Sequence, residues 1–394
     1  MATPETSMNA LANIVDVATA SLDYPAFKKA MLNACKVVDK NVTIPVLGTV
    51  IIRQTRGGAQ VIGTDLDRYI STFVAGEMSA DFIALIDAHR LGATMDKVKD
   101  ASTINFTTGT DTVVASIGKL QLTLVQKTDV ADFPEQQAFR TELGKSNCSF
   151  ILPASQLRVM LDKVSFAIST EATRYYLNGI YMHVASYEEK LTFVATDGHR
   201  LARFQIDVPA GAGSMPDAGV IIPHKTAIEL RRLVSRKDCP SDVLVTATPT
   251  GVSFLIGEDE LLESKVVVGT YPDYGRVVPT HNEHKVGIQR QTLMDAIKQV
   301  SSIKTEKSKG VRLSFTDGRL TLSCQDPEFG RATTELKSFG TFELDAGFNA
   351  SYLLEILGQL EGGAMLELQD SGSPVVIKDG ADDRITYAQM PLRV

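Results

Sequence analysis

At 394 residues the chain is too long for one ordinary core, so two or three domains are expected. Hydrophobic residues at 44% and charged residues at 22% are ordinary globular values and exclude a large disordered region. Trp is absent and aromatics are 7%, which weighs against binding single strands by base stacking, and the net charge of −7 taken alone weighs against nucleic acid.

Cys35, Cys148, Cys239 and Cys324 are scattered singly, a spacing that suits neither a zinc site nor a disulfide framework and points to a reducing cytoplasm. No apolar run approaches the roughly 20 residues needed to span a bilayer, so no membrane partner is expected. Met1 to Ser21 carries Glu5 and Asp16 but no Lys or Arg, unlike a signal peptide, and is expected to be a short arm.

Along the chain, helix-period stretches alternate with strand-like runs. Phe27, Met31, Ala34, Cys35 and Val38 form the first apolar stripe. A strand is expected over Val46 to Ile52 and another over Ala59 to Gly63. Leu91, Met95 and Val98 form the second stripe, behind Asp87 as N-cap. Thr128 to Asn147 is polar, carries Pro134 and is read as a boundary segment. Leu157, Met160, Leu161, Val164 and Ile168 form the third stripe, followed by a strand over Leu191 to Thr196. The loop Pro209 to Gly219 precedes the fourth stripe, Leu230, Leu233 and Val234. Thr270 to His284, with Pro272 and Pro279, is a second boundary. Leu293, Ile297 and Val300 form the fifth stripe, before strands over Val311 to Phe315 and Leu320 to Cys324. Leu353, Ile356, Leu357 and Leu360 form the sixth.

The strand-then-turn pieces resemble one another. Val61-Ile62-Gly63-Thr64-Asp65 matches Phe193-Val194-Ala195-Thr196-Asp197, and Leu322-Ser323-Cys324-Gln325-Asp326 is a weaker copy. Six helix-plus-strands units in three pairs, starting near residues 24, 150 and 287, predict three similar α+β domains with helices to one side and strands outside. The expected boundaries are 1–23 (arm and first strand), 24–148, 149–278 and 279–394.

Charge follows the same division. The six helical stretches carry +9 in sum, which leaves −16 for the strands and loops. If the helices share a face, that face attracts phosphate although the molecule is acidic. The sixth stretch, with Glu355 and Glu361, runs against the pattern.

Motifs of catalysis are missing. Gly144-Lys145-Ser146 resembles the end of a phosphate-binding loop, but Phe139 stands where that loop needs Gly. Asp197 and His199 in Thr196-Asp197-Gly198-His199-Arg200 could suggest acid-base chemistry; the spacing fits a tight turn better, with Asp capping and Gly supplying positive φ. The six histidines have no metal-ligand spacing, so neither metal nor cofactor is expected.

Arg174-Tyr175-Tyr176-Leu177-Asn178-Gly179 and Ala195-Thr196-Asp197-Gly198-His199-Arg200-Leu201 resemble the bacterial DNA polymerase III β subunits, the sliding clamps. So do Thr43-Ile44-Pro45-Val46-Leu47, Ile222-Pro223-His224-Lys225, Tyr271-Pro272-Asp273-Tyr274 with Arg276-Val277, and Met390-Pro391-Leu392-Arg393-Val394. The resemblance spans roughly residues 24 to 394. It implies an α+β clamp fold of three similar DNA-clamp domains, closed head-to-tail as a homodimeric ring with helices lining the interior and antiparallel sheets outside. It implies no enzyme, but a nucleoid-associated replication factor that encircles duplex DNA and binds the replicative polymerase, a clamp loader and other proteins carrying clamp-binding motifs.

The resemblance also implies a partner-peptide cleft formed by Leu177, Thr196, Gly198, His199, Arg200, Leu201, Pro272, Arg276, Val277, Met390, Pro391, Leu392 and Arg393. Its apolar members would hold a hydrophobic peptide, while His199 and the arginines would hydrogen-bond at the rim. For DNA, Arg174, Tyr175, Tyr176 and Lys225 match the family's contacts. Lys28, Lys29, Arg90, Lys97, Arg231 and Arg232 are chosen on helix charge alone, for non-specific phosphate contacts. Two positions depart from the family pattern: Asn41 and Val42, not a basic residue, precede Thr43, and Pro374 replaces a small polar residue at the cleft edge.

Overall fold

The repeat resolves into a strand–helix–three-strand module that recurs six times among the described residues. The computed structural model describes residues 17–393 apart from 127, 136, 186–188, 304, 306–308 and 338–339. Most of the expected N-terminal arm, as well as Lys304 and Val394, therefore lies outside the described residues. The module helices are α1 (Tyr24–Val37), α2 (Ala88–Met95), α4 (Ala154–Ser165), α5 (His224–Val234), α6 (Arg290–Val300) and α7 (Ala350–Gln359), while α3 (Gln137–Gly144) stands outside the repeat.

In three of the six modules the last residue of the leading strand caps the helix with its side chain, whereas Pro153, Pro223 and Gln289 make no such bond ahead of α4, α5 and α6. Asp23 accepts from Ala26 N, Asp87 from Arg90 N, and Asn349 from Ser351 N and Tyr352 N. Each cap satisfies helix N–H groups that have no partner within the helix. The apolar stripes then turn inward. Phe27, Met31 and Ala34 of α1 are buried, and Phe27 meets Phe106 edge-on at 5.2 Å between ring centres. A side chain of that size contributes about 1.5–3 kcal/mol when withdrawn from water.

The chain forms two compact units, one of the segment up to Gln136 with Glu258–Glu263, the other of Gln137–Gly257 with Ser264–Val394. In the first, the antiparallel order is Leu120–Val125, Thr112–Ile117, Thr103–Thr108, Thr19–Asp23, then the long strand Arg68–Met78. Arg68–Met78 also pairs with Gly58–Thr64, which continues to Thr49–Thr55 and Ile83–Asp87. In the second unit an eight-stranded sheet runs Val220–Pro223, Gly179–Ala185, Lys190–Thr196, Arg200–Asp207, Ile385–Gln389, Val375–Asp379, Ala364–Leu368, His284–Ile288. A four-stranded sheet runs Gly330–Lys337, Arg319–Asp326, Gly310–Thr316, Leu344–Asn349.

The local matches noted in the sequence extend to individual hydrogen bonds. Thr64 Oγ1 donates to Arg68 O (2.8 Å) and accepts from Leu66 N (2.9 Å). Asp65 Oδ1 accepts from Asp67 N and Arg68 N, and its Oδ2 accepts from Arg68 Nε at 3.0 Å. Thr196, Asp197 and Arg200 repeat every one of these bonds. The third copy keeps the acid, with Asp326 Oδ1 accepting from Glu328 N and Phe329 N, but the exposed Phe329 replaces the arginine. The turn requires positive φ at its third residue, which Gly198 adopts at 87° and Leu66 at 75°.

Four local expectations need correction. Pro45–Gly48 is a 3-10 turn and the strand begins at Thr49, because Pro45 has no N–H for a ladder. The segment read as a polar boundary holds α3, whose polar composition hides its helical period. Helix α2 stops at Met95, so Lys97, Val98 and Lys99 lie in the turn beyond it. Ile168 is buried, but it follows the end of α4 at Ser165.

The Asp65–Arg68 pair has side chains only 6% and 8% exposed. Arg68→Met leaves a buried carboxylate without its counter-charge and is expected to destabilise the first unit by about 3 kcal/mol. Urea denaturation measures this; a change under about 0.5 kcal/mol would mean the pair is structurally idle.

Candidate functional site

The antiparallel register of the eight-stranded sheet sets Leu201 opposite both Thr196 and Ala388, and Ala388 opposite Val376. Leu201, Ala388 and Val376 of this row, with Leu177, Val194, Ile221, Tyr271 and Val278, form one buried apolar cluster. Over it opens a pocket of about 220 Å³. Leu177 and Leu201 are its buried floor, and Pro272, Val277 and Met390 are exposed on its walls. Thr196, Gly198, His199 and Arg200, which the resemblance implies for a peptide cleft, also line it. Arg174, Tyr176, Tyr274 and Ala388 also line it; the first two are expected from the sequence to contact DNA, and the others are not among the expected cleft residues. The signals were available: Tyr274 lies within the quoted Tyr271-to-Tyr274 motif, and Ala388 follows from Leu201 by register.

Pro391, Leu392 and Arg393 do not line this pocket. They line a larger groove of about 610 Å³ beside it, and His199 and Met390 belong to both spaces. The C-terminal segment is held there by its backbone: Met390 N donates to His199 O at 2.8 Å and Leu392 N to Gly347 O at 2.7 Å. Arg276 lines neither space; it is exposed and paired with Asp273 at 3.0 Å. Pro374 is half-buried, lines neither space, and accepts from Asn282 Nδ2 at its carbonyl.

Arg200 is a correction. It was expected at a solvated rim but is 9% exposed. Its guanidinium donates to Asp197 Oδ2 (3.1 Å), Glu355 Oε2 (2.7 Å) and Phe166 O (2.9 Å). It also lies over the rings of Tyr352 and Phe166, at 4.3 and 5.1 Å from their centres. Both oxygens of Asp197 are thus engaged, two backbone N–H groups on one and Arg200 on the other, and His199 stacks on Tyr352. That is a structural turn, not an acid-base pair. Burial, then the charge of Asp197, raises the Tyr352 phenol above its ordinary value. Burial likewise pushes up the Tyr271 phenol, which stacks on Tyr181 at 4.6 Å behind the pocket.

Arg174 is held by both oxygens of Glu171 at 2.7 Å, and it keeps that carboxyl below its usual range. A Cβ on Gly198 would stand 2.3 Å from Arg174 Nη1, so glycine here permits both the backbone turn and the arginine across it.

The expected DNA residues divide by unit. In the first, Lys28 and Lys29 are half-buried on α1, Arg90 is exposed on α2 at 3.5 Å from Asp87, and Lys97 is exposed beyond α2. In the second, Tyr175 and Lys225 are exposed, and Arg231 is half exposed beside Asp162. Arg232 is drawn to the buried Glu229, with Nε at 3.0 and 3.1 Å from its two oxygens. Arg158, Arg231 and Arg290 share a groove with Asp162, Glu361 and His224. Burial lowers the His224 pKa, so that imidazole adds no charge at neutral pH.

The two acids that ran against the charge pattern are counterions. Glu355 pairs with Arg200, and Glu361 pairs with the buried Lys163 at 3.0 Å. Among the described residues, no group of three or more His, Cys, Asp or Glu could hold a metal ion, and no helix is long and apolar enough to cross a membrane. Gly144 ends α3, whereas a phosphate-binding loop precedes a helix.

Residues 151–273 match the family model of the DNA polymerase III beta subunit central domain, and residues 275–393 match that of its C-terminal domain. The beta sliding clamp of Caulobacter vibrioides is 34% identical over 95% of this chain and 99% of its own length. That of Escherichia coli K12 is 30% identical over 89% and 93%. The crystal structure of a sliding clamp from Bartonella birtlesii, bound to griselimycin, superposes with a TM-score of 0.88 at 35% identity, covering 96% of this chain and all of the other. A Caulobacter crescentus sliding clamp gives the same score at 32% identity over 95% and 100%. With two domain models matching most of the chain and relatives aligned nearly end to end, the chain belongs to the DNA polymerase III β subunit family, the sliding clamps, which are α+β and non-catalytic.

Proposed function

We propose that two copies of this chain close head-to-tail into a ring around duplex DNA, and that the pocket beside Val277 and Met390 tethers partner proteins to it. The observation that carries the reading is that pocket: exposed apolar walls over a buried apolar floor, a form suited to a short hydrophobic peptide. The partners are the replicative polymerase, a clamp loader and repair proteins with clamp-binding peptides. The clamp architecture implied by the family corresponds to domains of residues 24–148, 149–278 and 279–394, with the helices facing DNA.

Ring closure needs two free sheet edges. Leu120–Val125 ends the sheet of the first unit, and Gly330–Lys337 ends the four-stranded sheet of the second. Unpaired edges offer backbone groups for strand addition, and a head-to-tail contact that closes leaves no edge open.

For phosphate contact the reading favours Lys28, Lys29, Arg90, Lys97, Tyr175, Lys225 and Arg231. Arg174 and Arg232 are set aside because both oxygens of Glu171 and of Glu229 engage them and they are only about a third exposed, whereas Arg90 and Arg231, though paired with Asp87 and Asp162, stay more than half exposed. Weak contacts suffice if the ring cannot leave the duplex, and weakness permits sliding. Tethering raises the polymerase's effective concentration at the primer end, which is processivity.

Loaded onto circular duplex by an ATP-driven loader, the chain should be retained through gel filtration and lost once the circle is linearised. Equal loss from both would overturn encirclement. In the same preparation, light scattering should give twice the chain mass; a monomer at micromolar concentration would instead favour an adaptor that uses the pocket without DNA.

Val277 and Met390 are 47% and 39% exposed, so changing them spares the core. Val277→Asp with Met390→Asp should weaken binding of a partner peptide by about tenfold or more, leaving retention on circular DNA unchanged. Fluorescence anisotropy measures the first; unaltered peptide affinity would remove the pocket from the mechanism.

A further inference from the structure

The groove beside the apolar pocket differs from it in charge. Lys309, Arg312, Arg331 and Arg393 line it, and among the described residues no Asp or Glu does. None of the four has an ion-pair partner among the described residues. Asp345 lines an adjoining space with Arg312 and Arg393 but pairs with neither. Arg312 and Arg331 stand on strands of the four-stranded sheet, where Arg312 is opposite Ser323 and Arg331 is opposite Gln325. Their positions are therefore set by a rigid ladder, not by a loop. If Gly330–Lys337 pairs along its edge in a dimer, backbone groups are consumed and the side-chain faces stay open.

The groove and the pocket share His199 and Met390 as lining residues and so lie side by side, within reach of one extended ligand. A nucleic-acid strand in the groove would leave the apolar pocket unused. A peptide with a hydrophobic anchor and a charged flank would use every part of the surface.

We propose that the partner segment carries acidic residues beside its apolar anchor, and that Lys309, Arg312, Arg331 and Arg393 receive their carboxylates. This rests on the peptide-cleft reading above and adds the partner's charge to it. Opposite charge across a rim of this kind selects partners and speeds their encounter more than it strengthens the final complex.

The test uses the full chain and two fluorescent peptides with the same pair of large apolar residues. One is flanked by three Asp or Glu, the other by Asn and Gln at the same positions. At about 50 mM salt the acidic peptide should bind roughly three- to tenfold more tightly, and at about 500 mM the advantage should disappear. In Arg312→Gln with Arg331→Glu the advantage should be lost while the neutral peptide binds as before. Equal affinities for the unaltered chain, or equal weakening of both peptides in the variant, would overturn the proposal. So would displacement of the acidic peptide by a short DNA strand with no effect on the neutral one, which would reassign the groove to nucleic acid. If neither peptide binds, the peptide cleft itself falls, and the acidic flank with it.

Discussion

A single guanidinium sets the geometry of the candidate site. Arg200 is buried, and its charge is met by Asp197 in its own turn, by Glu355 on α7, and by the carbonyl of Phe166 just past α4. The rings of Phe166 and Tyr352 close over its faces. A buried cation is tolerated only with this degree of satisfaction, since each ion withdrawn from water costs several kcal/mol before its partners repay it. The consequence is positional. Arg200 joins the segment matching the central domain model to the one matching the C-terminal domain model, and it ends the turn whose Thr196, Gly198 and His199 line the pocket. His199 O then receives Met390 N, so the C-terminal segment takes its place from the same turn.

The equivalent turn in the first unit shows what is general and what is particular. Thr64, Asp65 and Arg68 make the same internal bonds, so the turn is a property of the module. Only the copy at Thr196 is joined by Glu355, two aromatic rings and a C-terminal strand. The third copy has lost its arginine, and with it the means to bind a second element in this way. The same local structure thus stands beside the candidate pocket in one copy and closes a buried ion pair in the other.

The strands and helices were readable because their periods are local and recur, so each weak copy supports the others. The 3-10 turn at Pro45 is hidden in the sequence because Val46 to Ile52 reads as a β-branched run, although Pro45 limits the backbone just ahead of it. Pocket membership was partly readable, since Leu177, Thr196, Leu201, Val277 and Met390 fall where the motifs place them. The side-chain roles of the charged residues were not. Arg200 sits in a polar turn, and its burial depends on Glu355, 155 positions away. Glu361 and Lys163 are 198 positions apart. No local pattern encodes such pairs, so a helix-by-helix charge count had to treat both acids as exceptions.

With these pairs formed, the helices present less charge to solvent than their formal sum. Lys163 and Arg200 are buried cations with assigned counterions, so neither they nor Glu361 and Glu355 add much to the field outside. Arg174 and Arg232 are likewise offset by Glu171 and Glu229. What remains on the helices is a modest set of exposed or half-exposed bases, with Arg231 shared by Asp162 and Arg90 close to Asp87. A protein that holds DNA by affinity would need a dense array of unopposed charge. One that holds DNA by closure needs only enough to centre the duplex, and carboxylates beside the bases keep each contact short-lived. In the proposed ring, partial neutralisation of the lining and an acidic exterior both favour sliding over gripping, so the net charge of −7 fits the function instead of opposing it.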